Sequence, residues 1–245
     1  MKVLGIDEAG RGCVIGPMAI GAVVFEESTL GCLEKLGVKD SKDLSPKKRE
    51  ELFPRIKEKA NSFEVKLISP ADIDEFSLNQ IDLQQIIFFI TSFKPDKVII
   101  DVPANPDGVA NFVKAVRLGL GEFVNKKLPH SQAPGAYADL PAGKAGLAPG
   151  AFSVAGSLPE LIGENKADEK YPIVSAASIL AKVERDRAIG ALHKEYGDFG
   201  SGYMSDEQTQ KFLREWFKNN RDFPPIVRSK WSSVKSFFEK QQGLI

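Results

Sequence analysis

The residues best suited to chemistry in this chain are carboxylates standing at the ends of apolar runs. Val3-Leu4-Gly5-Ile6 reads as a short buried strand that delivers Asp7-Glu8 at its end. Two adjacent acids there are costly to keep ionised unless positive charge neutralises them. A hard divalent cation such as Mg²⁺ does so through oxygen ligands; a solvated turn is the plain alternative. Lys97-Val98-Ile99-Ile100-Asp101 is a second β-branched run closing on an acid, a common way for an α/β protein to present a carboxylate at a sheet edge. Asp168 supplies a carboxylate from a third segment. Spacing alone leaves open whether these acids share a site or are unrelated surface groups.

A second group of residues suits phosphate or sugar. Gly10-Arg11-Gly12, followed by Gly16-Pro17, lets main-chain N–H groups approach a ligand closely while the guanidinium meets a phosphate. It equally suits a tight turn with an exposed arginine. Lys42 sits among Lys39, Lys47, Lys48 and Arg49, a cluster that is either a solvated helix face or a phosphate-binding edge. Tyr203 is either a contact aromatic or a core residue.

Other chemistries are short of residues. With His130 and His193 as the only histidines, a Ser-His-Asp triad would have to use one of two poorly placed rings. Cys13 and Cys32 lack metal-ligand spacing and are expected to be reduced packing residues. Basic and acidic residues balance at 33 each, which neither advertises a nucleic-acid binder nor excludes one, since a local basic patch supplies phosphate contacts. No apolar run approaches the roughly 18–20 residues of a membrane helix. Acids also appear at positions 7 and 8, before a signal peptide could form, so a cytoplasmic protein is expected.

The elements that must position these residues read as an α/β chain of 245 residues. Met18 to Phe25 is close enough to the first strand to pair with it as a hairpin. Ser45-Pro46 caps and opens a helix that Pro54 should kink or break. Phe63 to Ile68 reads as a strand, and Ser69-Pro70 opens a short helix. Leu78 to Phe93 reads as a longer helix with Ile81, Gln85 and Phe88 at helical spacing. From Lys126 to about Asn165 the Ala/Gly/Pro-rich composition reads as a flexible insertion. Ser175 to Tyr196 is a helix with Ile179, Val183 and Ile189 inward and Lys182, Arg185 and Arg187 polar. Ser205 to Gln208 reads as a capping box opening another helix, and Trp231 to Lys240 as a last short one.

Taken as blocks in order, these residues resemble ribonuclease HII, in its archaeal-type form. The blocks are Gly5-Ile6-Asp7-Glu8-Ala9-Gly10-Arg11-Gly12 with Gly16-Pro17, Asp40-Ser41-Lys42-Asp43-Leu44-Ser45, Lys166-Ala167-Asp168-Glu169-Lys170-Tyr171-Pro172 with Ser175 to Val183 and Arg185-Asp186, and Tyr196 to Tyr203. Cys13 stands where the family usually has proline.

The resemblance implies an RNase H-like mixed sheet flanked by helices over residues 1–195, with a helical substrate-binding portion over 196–245. It implies a four-carboxylate site for Mg²⁺ or Mn²⁺ made of Asp7, Glu8, Asp101 and Asp168, with Asp186 as the alternative fourth member. It further implies that Gly10, Arg11 and Gly12 sense a ribose 2′-hydroxyl, that Tyr203 packs on the following deoxyribose, and that Lys42 binds phosphate. The implied activity is two-metal hydrolysis of RNA/DNA hybrids and of DNA containing ribonucleotides, by a monomer. The tail Gln241 to Ile245 resembles a sliding-clamp-binding segment without its closing aromatics.

Overall fold

Residues 3–6 bury side chains on both faces of the backbone, as the central strand of a covered sheet must. In the computed structural model, which describes residues 1–38, 44–104, 106–125 and 158–242, this segment is strand β1 (Lys2–Ala9) of a five-stranded sheet. β2 (Met18–Glu26) returns antiparallel beside it, with Asp7 opposite Gly21 and Glu8 opposite Ile20. After α1 (Gly31–Lys35) and α2 (Pro46–Lys59), β3 (Ser62–Ile68) extends the antiparallel edge. Then come α3 (Pro70–Glu75) and α4 (Leu78–Phe93), both opened by serine capping boxes. β4 (Lys97–Asp101) lies parallel to β1, and after α5 (Pro106–Asn125) strand β5 (Glu160–Glu164) lies parallel to β4. The strand order is β3-β2-β1-β4-β5. The chain ends with α6 (Ala167–Lys170), α7 (Pro172–Tyr196), α8 (Glu207–Asn220) and α9 (Ser232–Gln242). The expected α/β class and mixed sheet are what the structure shows.

The two faces of the sheet bury different helices. Val3, Val23, Phe25 and Ile99 pack with α2 and α7 through Leu52, Ile56, Ile173, Ile179 and Val183. Leu4, Ile6, Ile20, Val98 and Ile100 pack with α4 and α5 through Ile86, Phe89, Val116 and Leu120. α7 lies close against the sheet because glycine faces it. A Cβ at Gly5 would fall 2.6 Å from the Ile173 carbonyl oxygen, and one at Gly21 would fall 2.4 Å from that of Ala177. A third cluster joins Val14 and Ile15 of the β1–β2 connection to Ile189 and Leu192 of α7 and to Phe199, Leu213, Val234 and Phe238. Among the described residues no helix is long and apolar enough to cross a membrane.

Several local expectations are corrected. α2 continues through Pro54, because Leu52, Phe53 and Ile56 are all buried and hold both sides of the proline against the core. α4 buries Phe89 and leaves Phe88 38% exposed, with the Lys66 ammonium over its ring. α8 is capped by Asp206, whose side chain accepts from the Gln208 N–H, and Ser205 lies outside it. Arg185 is buried. His193, expected at the surface because its helix is charged there, is half-buried, bonded to the Gly200 carbonyl and edge-on to Phe199. The Ala/Gly/Pro-rich stretch does not run to Asn165, since Glu160–Glu164 forms β5; residues 126–157 lie outside those described. As expected, both cysteines are free, and Cys13 is buried.

Candidate active site

Alternation along β1 sends Asp7 and Glu8 to opposite faces of the sheet. Asp7 follows Val3 and Gly5 onto the α7 face, while Glu8 follows Leu4 and Ile6 onto the α4 face. The parallel register pairs Ile6 with Ile100, so Asp101, one residue on, comes level with Asp7 and shares its face. A third carboxylate arrives from α6. The Asn165 amide donates to the Ala104 carbonyl at 3.0 Å, and the Ala167 N–H donates to Asp101 Oδ1 at 3.1 Å. Lys166 between them takes a left-handed backbone, φ +59°, and the short helix that follows buries Asp168. Asp7, Asp101 and Asp168 thus offer oxygens that all lie within 4.8 Å of one another.

Three carboxylates this close repel. Burial pushes the Asp7 carboxyl up to about 7, and the charges of Asp101 and Asp168 add to the rise. Hydrogen bonds from the Ser178 hydroxyl and from the Glu8 N–H, the latter 2.7 Å from Asp7 Oδ1, work against it. An all-oxygen donor set that holds a proton this tightly suits a hard divalent cation, which would replace the proton and offset the remaining charge. The residues present therefore fit Mg²⁺ or Mn²⁺.

Glu8 is turned elsewhere. Arg11 Nη1 donates to both Glu8 oxygens, at 3.1 and 3.0 Å, and to buried Asp82, while Arg11 Nη2 donates to Asn79 Oδ1 at 2.8 Å. Burial raises the pKa of both Glu8 and Asp82, and the guanidinium between them counters the rise. The structure brings three of the four expected carboxylates together and holds the fourth next door on an arginine. Asp82 and Asn79, in the first turns of α4, were not among the expected site residues. Their signal was present: an acid beside Ile81, on the buried stripe of a helix, needs a buried cation.

In front of Arg11 lies a groove of about 480 Å³ lined by Gly10, Arg11, Gly12, Arg49, Lys182, Arg185 and Tyr203, with Glu8 linking it to the carboxylates. Gly10 has φ +79°, and a Cβ there would strike the Arg185 side chain. Tyr203 is 41% exposed on the groove wall. Asp186 lines the same groove, outside the carboxylate cluster, and pairs with Arg49 at 3.2 Å. Lys42 lies outside the described residues.

Comparison with known proteins decides what this arrangement belongs to. The family model described as Ribonuclease HII matches residues 4–118 and 153–234, which include Asp7, Glu8, Asp101, Asp168 and Tyr203. The chain belongs to the ribonuclease HII family. It is 42% identical over 244 residues to Ribonuclease HII of Pyrococcus abyssi, covering 98% of this chain and 92% of that one. Among solved structures it is similar to ribonuclease H2 from Pyrococcus horikoshii, with TM-score 0.77 and 37% identity over 99% of each chain. It is also similar to ribonuclease HII in a complex with PCNA from Archaeoglobus fulgidus, with TM-score 0.73 and 35% identity over 95% of this chain and 96% of that one. Membership of the ribonuclease HII family makes the chain a hydrolase of the ribonuclease H class. The stretch the family model passes over, 119–152, falls largely within the Ala/Gly/Pro-rich segment.

Proposed function

We propose that this protein is an endonuclease that hydrolyses the phosphodiester 5′ of a ribonucleotide, in RNA/DNA hybrids or embedded in duplex DNA, leaving 3′-hydroxyl and 5′-phosphate ends. The observation that carries the reading is the cluster of Asp7, Asp101 and Asp168 within 4.8 Å, opening beside a groove whose lip is the Gly10-Arg11-Gly12 turn. Those three aspartates would hold two divalent ions, Mg²⁺ or Mn²⁺, with Glu8, expected as the fourth ligand, held beside them on Arg11. Such ions supply a water of lowered pKa and offset charge on the leaving 3′-oxygen.

The protein's own groups do the rest. The Ser178 hydroxyl and the Glu8 N–H orient the Asp7 carboxylate. The proton that Asp7 holds up to about pH 7 must leave before its oxygens can serve as ligands. Gly10, Arg11 and Gly12 meet the ribose, whose 2′-hydroxyl is what separates RNA from DNA at a single position. Tyr203 offers its exposed ring to the next deoxyribose. Lys42, together with Arg49 and Lys182, binds flanking phosphates. Residues 196–245, which bring Tyr203, serve as the substrate-binding portion. The protein acts as a cytoplasmic monomer in this reading, and a sliding clamp is its protein partner, as PCNA is for the Archaeoglobus fulgidus relative.

The test is a labelled DNA duplex carrying one ribonucleotide, incubated with Mg²⁺ and either this protein or Asp7→Asn. Cleavage immediately 5′ of the ribonucleotide, lost in EDTA and in the variant, is expected. Tight duplex binding with no cutting in Mg²⁺ or Mn²⁺ would overturn the reading.

A further inference from the structure

Behind the Gly10-Arg11-Gly12 turn lies Arg228, a side chain with 0% exposure. Arg228 Nη1 donates to the Arg11 carbonyl at 2.8 Å. Nη2 donates to the Gly10 carbonyl at 2.8 Å and to that of Gly16 at 3.1 Å, and Nε donates to Gly16 at 3.2 Å. Among the described residues its side-chain hydrogen bonds all go to main-chain carbonyls. One face of the guanidinium rests on the Trp231 ring, 4.9 Å from its centre. The flanking chain is fastened to the same loop: the Arg228 N–H donates to Val14, Gly16 donates to Ile226, and Ile15 bridges Val227.

A guanidinium this deeply buried normally faces a carboxylate, because desolvating the charge is expensive. Here its hydrogen bonds go to carbonyl dipoles of the β1–β2 connection, and burial lowers the group's pKa to about 10. If joining two segments were the whole requirement, apolar packing would suffice, and the cluster containing Val14, Ile15, Val227 and Phe238 already provides it. A planar fork with five N–H donors adds direction: it fixes successive peptide groups at defined angles, which a single ammonium cannot. In a trans peptide the C=O and the following N–H point opposite ways. Holding the Gly10 and Arg11 carbonyls from behind therefore aims the N–H groups of Arg11 and Gly12 forward. The groove in front is lined by Gly10, Arg11 and Gly12, and Arg228 is not among its lining residues.

We propose that Arg228 is a positioning residue for ribonucleotide recognition: gripping the Gly10 and Arg11 carbonyls, it orients the Arg11 and Gly12 N–H groups that meet the ribose. This rests on the reading of the turn as the sensor of the 2′-hydroxyl. Arg228 itself touches no substrate. Arg11 is thereby held twice, its side chain by Glu8, Asp82 and Asn79, its main chain by Arg228.

The test measures binding by fluorescence anisotropy in EDTA, so that no cleavage intervenes. It uses two DNA duplexes identical except for one ribonucleotide, and reads the ratio of their affinities. Arg228→Lys keeps the charge and loses the fork. The expected result is a ratio lowered about tenfold, the loss of roughly one oriented hydrogen bond. Affinity for the all-DNA duplex and Mn²⁺ binding by the free protein should be unchanged. Each variant is measured well below its own melting midpoint. Trp231→Leu, which removes the ring under the guanidinium and fills part of its space, should lower the ratio in the same direction by less, and it decides the matter if Arg228→Lys does not fold. A ratio unchanged from wild type, with only a lowered melting midpoint, would show Arg228 to be a staple and overturn the inference. A wild-type protein that itself shows no preference for the ribonucleotide would instead remove the reading of the turn, and the inference with it.

Discussion

Asp7 is a carboxyl under pressure from two sides, burial and the neighbouring charges of Asp101 and Asp168. Its pKa rises from an ordinary value near 3.8 to about 7 in the folded chain, so the native state binds a proton that the unfolded chain releases. A group shifted this way contributes stability that is fully present below about 3.8 and lost as pH rises through about 7. In EDTA the melting midpoint should therefore fall between pH 6 and pH 8, and Asp7→Asn should flatten that fall. The same variant should melt at least a few degrees above wild type at pH 8 without metal, and should lose most of the upward shift that Mn²⁺ gives wild type. Thermal melts across pH, with and without Mn²⁺, check both. A midpoint in EDTA that rises across this range would contradict the assignment. Asp82 calls for a different experiment. Asp82→Ala removes one of the two acids holding Arg11, and is expected to cost about 1–3 kcal/mol of stability and to weaken preference for a ribonucleotide-containing duplex several-fold. Melting and paired binding curves would report the two effects separately.

The way elements are packed shows which parts of the sequence could be read locally. α4 and β4 fall where the pattern places them, because Ser77 caps the helix and the β-branched run 98–100 ends at Asp101. The strand ends at Asp7 and Asp101 carry their acids in plain view. β5 was hidden: Glu-Leu-Ile-Gly-Glu is short and bounded by acids, and its strand character comes from pairing with β4 rather than from its own residues. Pro54 and Arg185 were misread for the same kind of reason, since tertiary contacts outweigh local preference at both. Arg228 carries no local sign of holding the turn, because it meets Arg11 only across 217 residues of chain, whereas Asp82, 71 residues away, is marked by its place on a buried helical stripe. Closeness of α7 to the sheet, by contrast, follows from small residues, and it is testable. Gly21→Ala would place a Cβ 2.4 Å from the Ala177 carbonyl oxygen, forcing α7 outward at a cost of about 1–3 kcal/mol. Because Ser178 of α7 bonds Asp7, Mn²⁺ affinity should fall with stability, which calorimetric titration would show. Full retention of Mn²⁺ affinity would mean that α7 does not set the geometry of Asp7.

On the scale of the whole molecule, one cluster of buried side chains spans the expected boundary near residue 195. The cluster beneath α8 and α9 takes Val14 and Ile15 from the N-terminal connection and Ile189 and Leu192 from α7. Gly202 presses on the carbonyl of Ile15 so closely that a Cβ would lie 2.9 Å from it, and Asp74 at the end of α3 receives the Ser229 hydroxyl and the Lys230 N–H. Thermal unfolding should therefore be one transition, with calorimetric and van't Hoff enthalpies equal. Two resolved transitions would mean that residues 196–245 are an independent unit. The same clamping gives the chain a timetable during synthesis. Chains emerge N-terminus first and fold as units become complete, yet the acids of the centre stand at 7, 101 and 168, and the side chain that grips the turn at 10–12 stands at 228. Until residue 228 emerges, a nascent chain surrounded by RNA would carry its first acids with the turn beside them unset. The turn would be set only once residue 228 has left the ribosome.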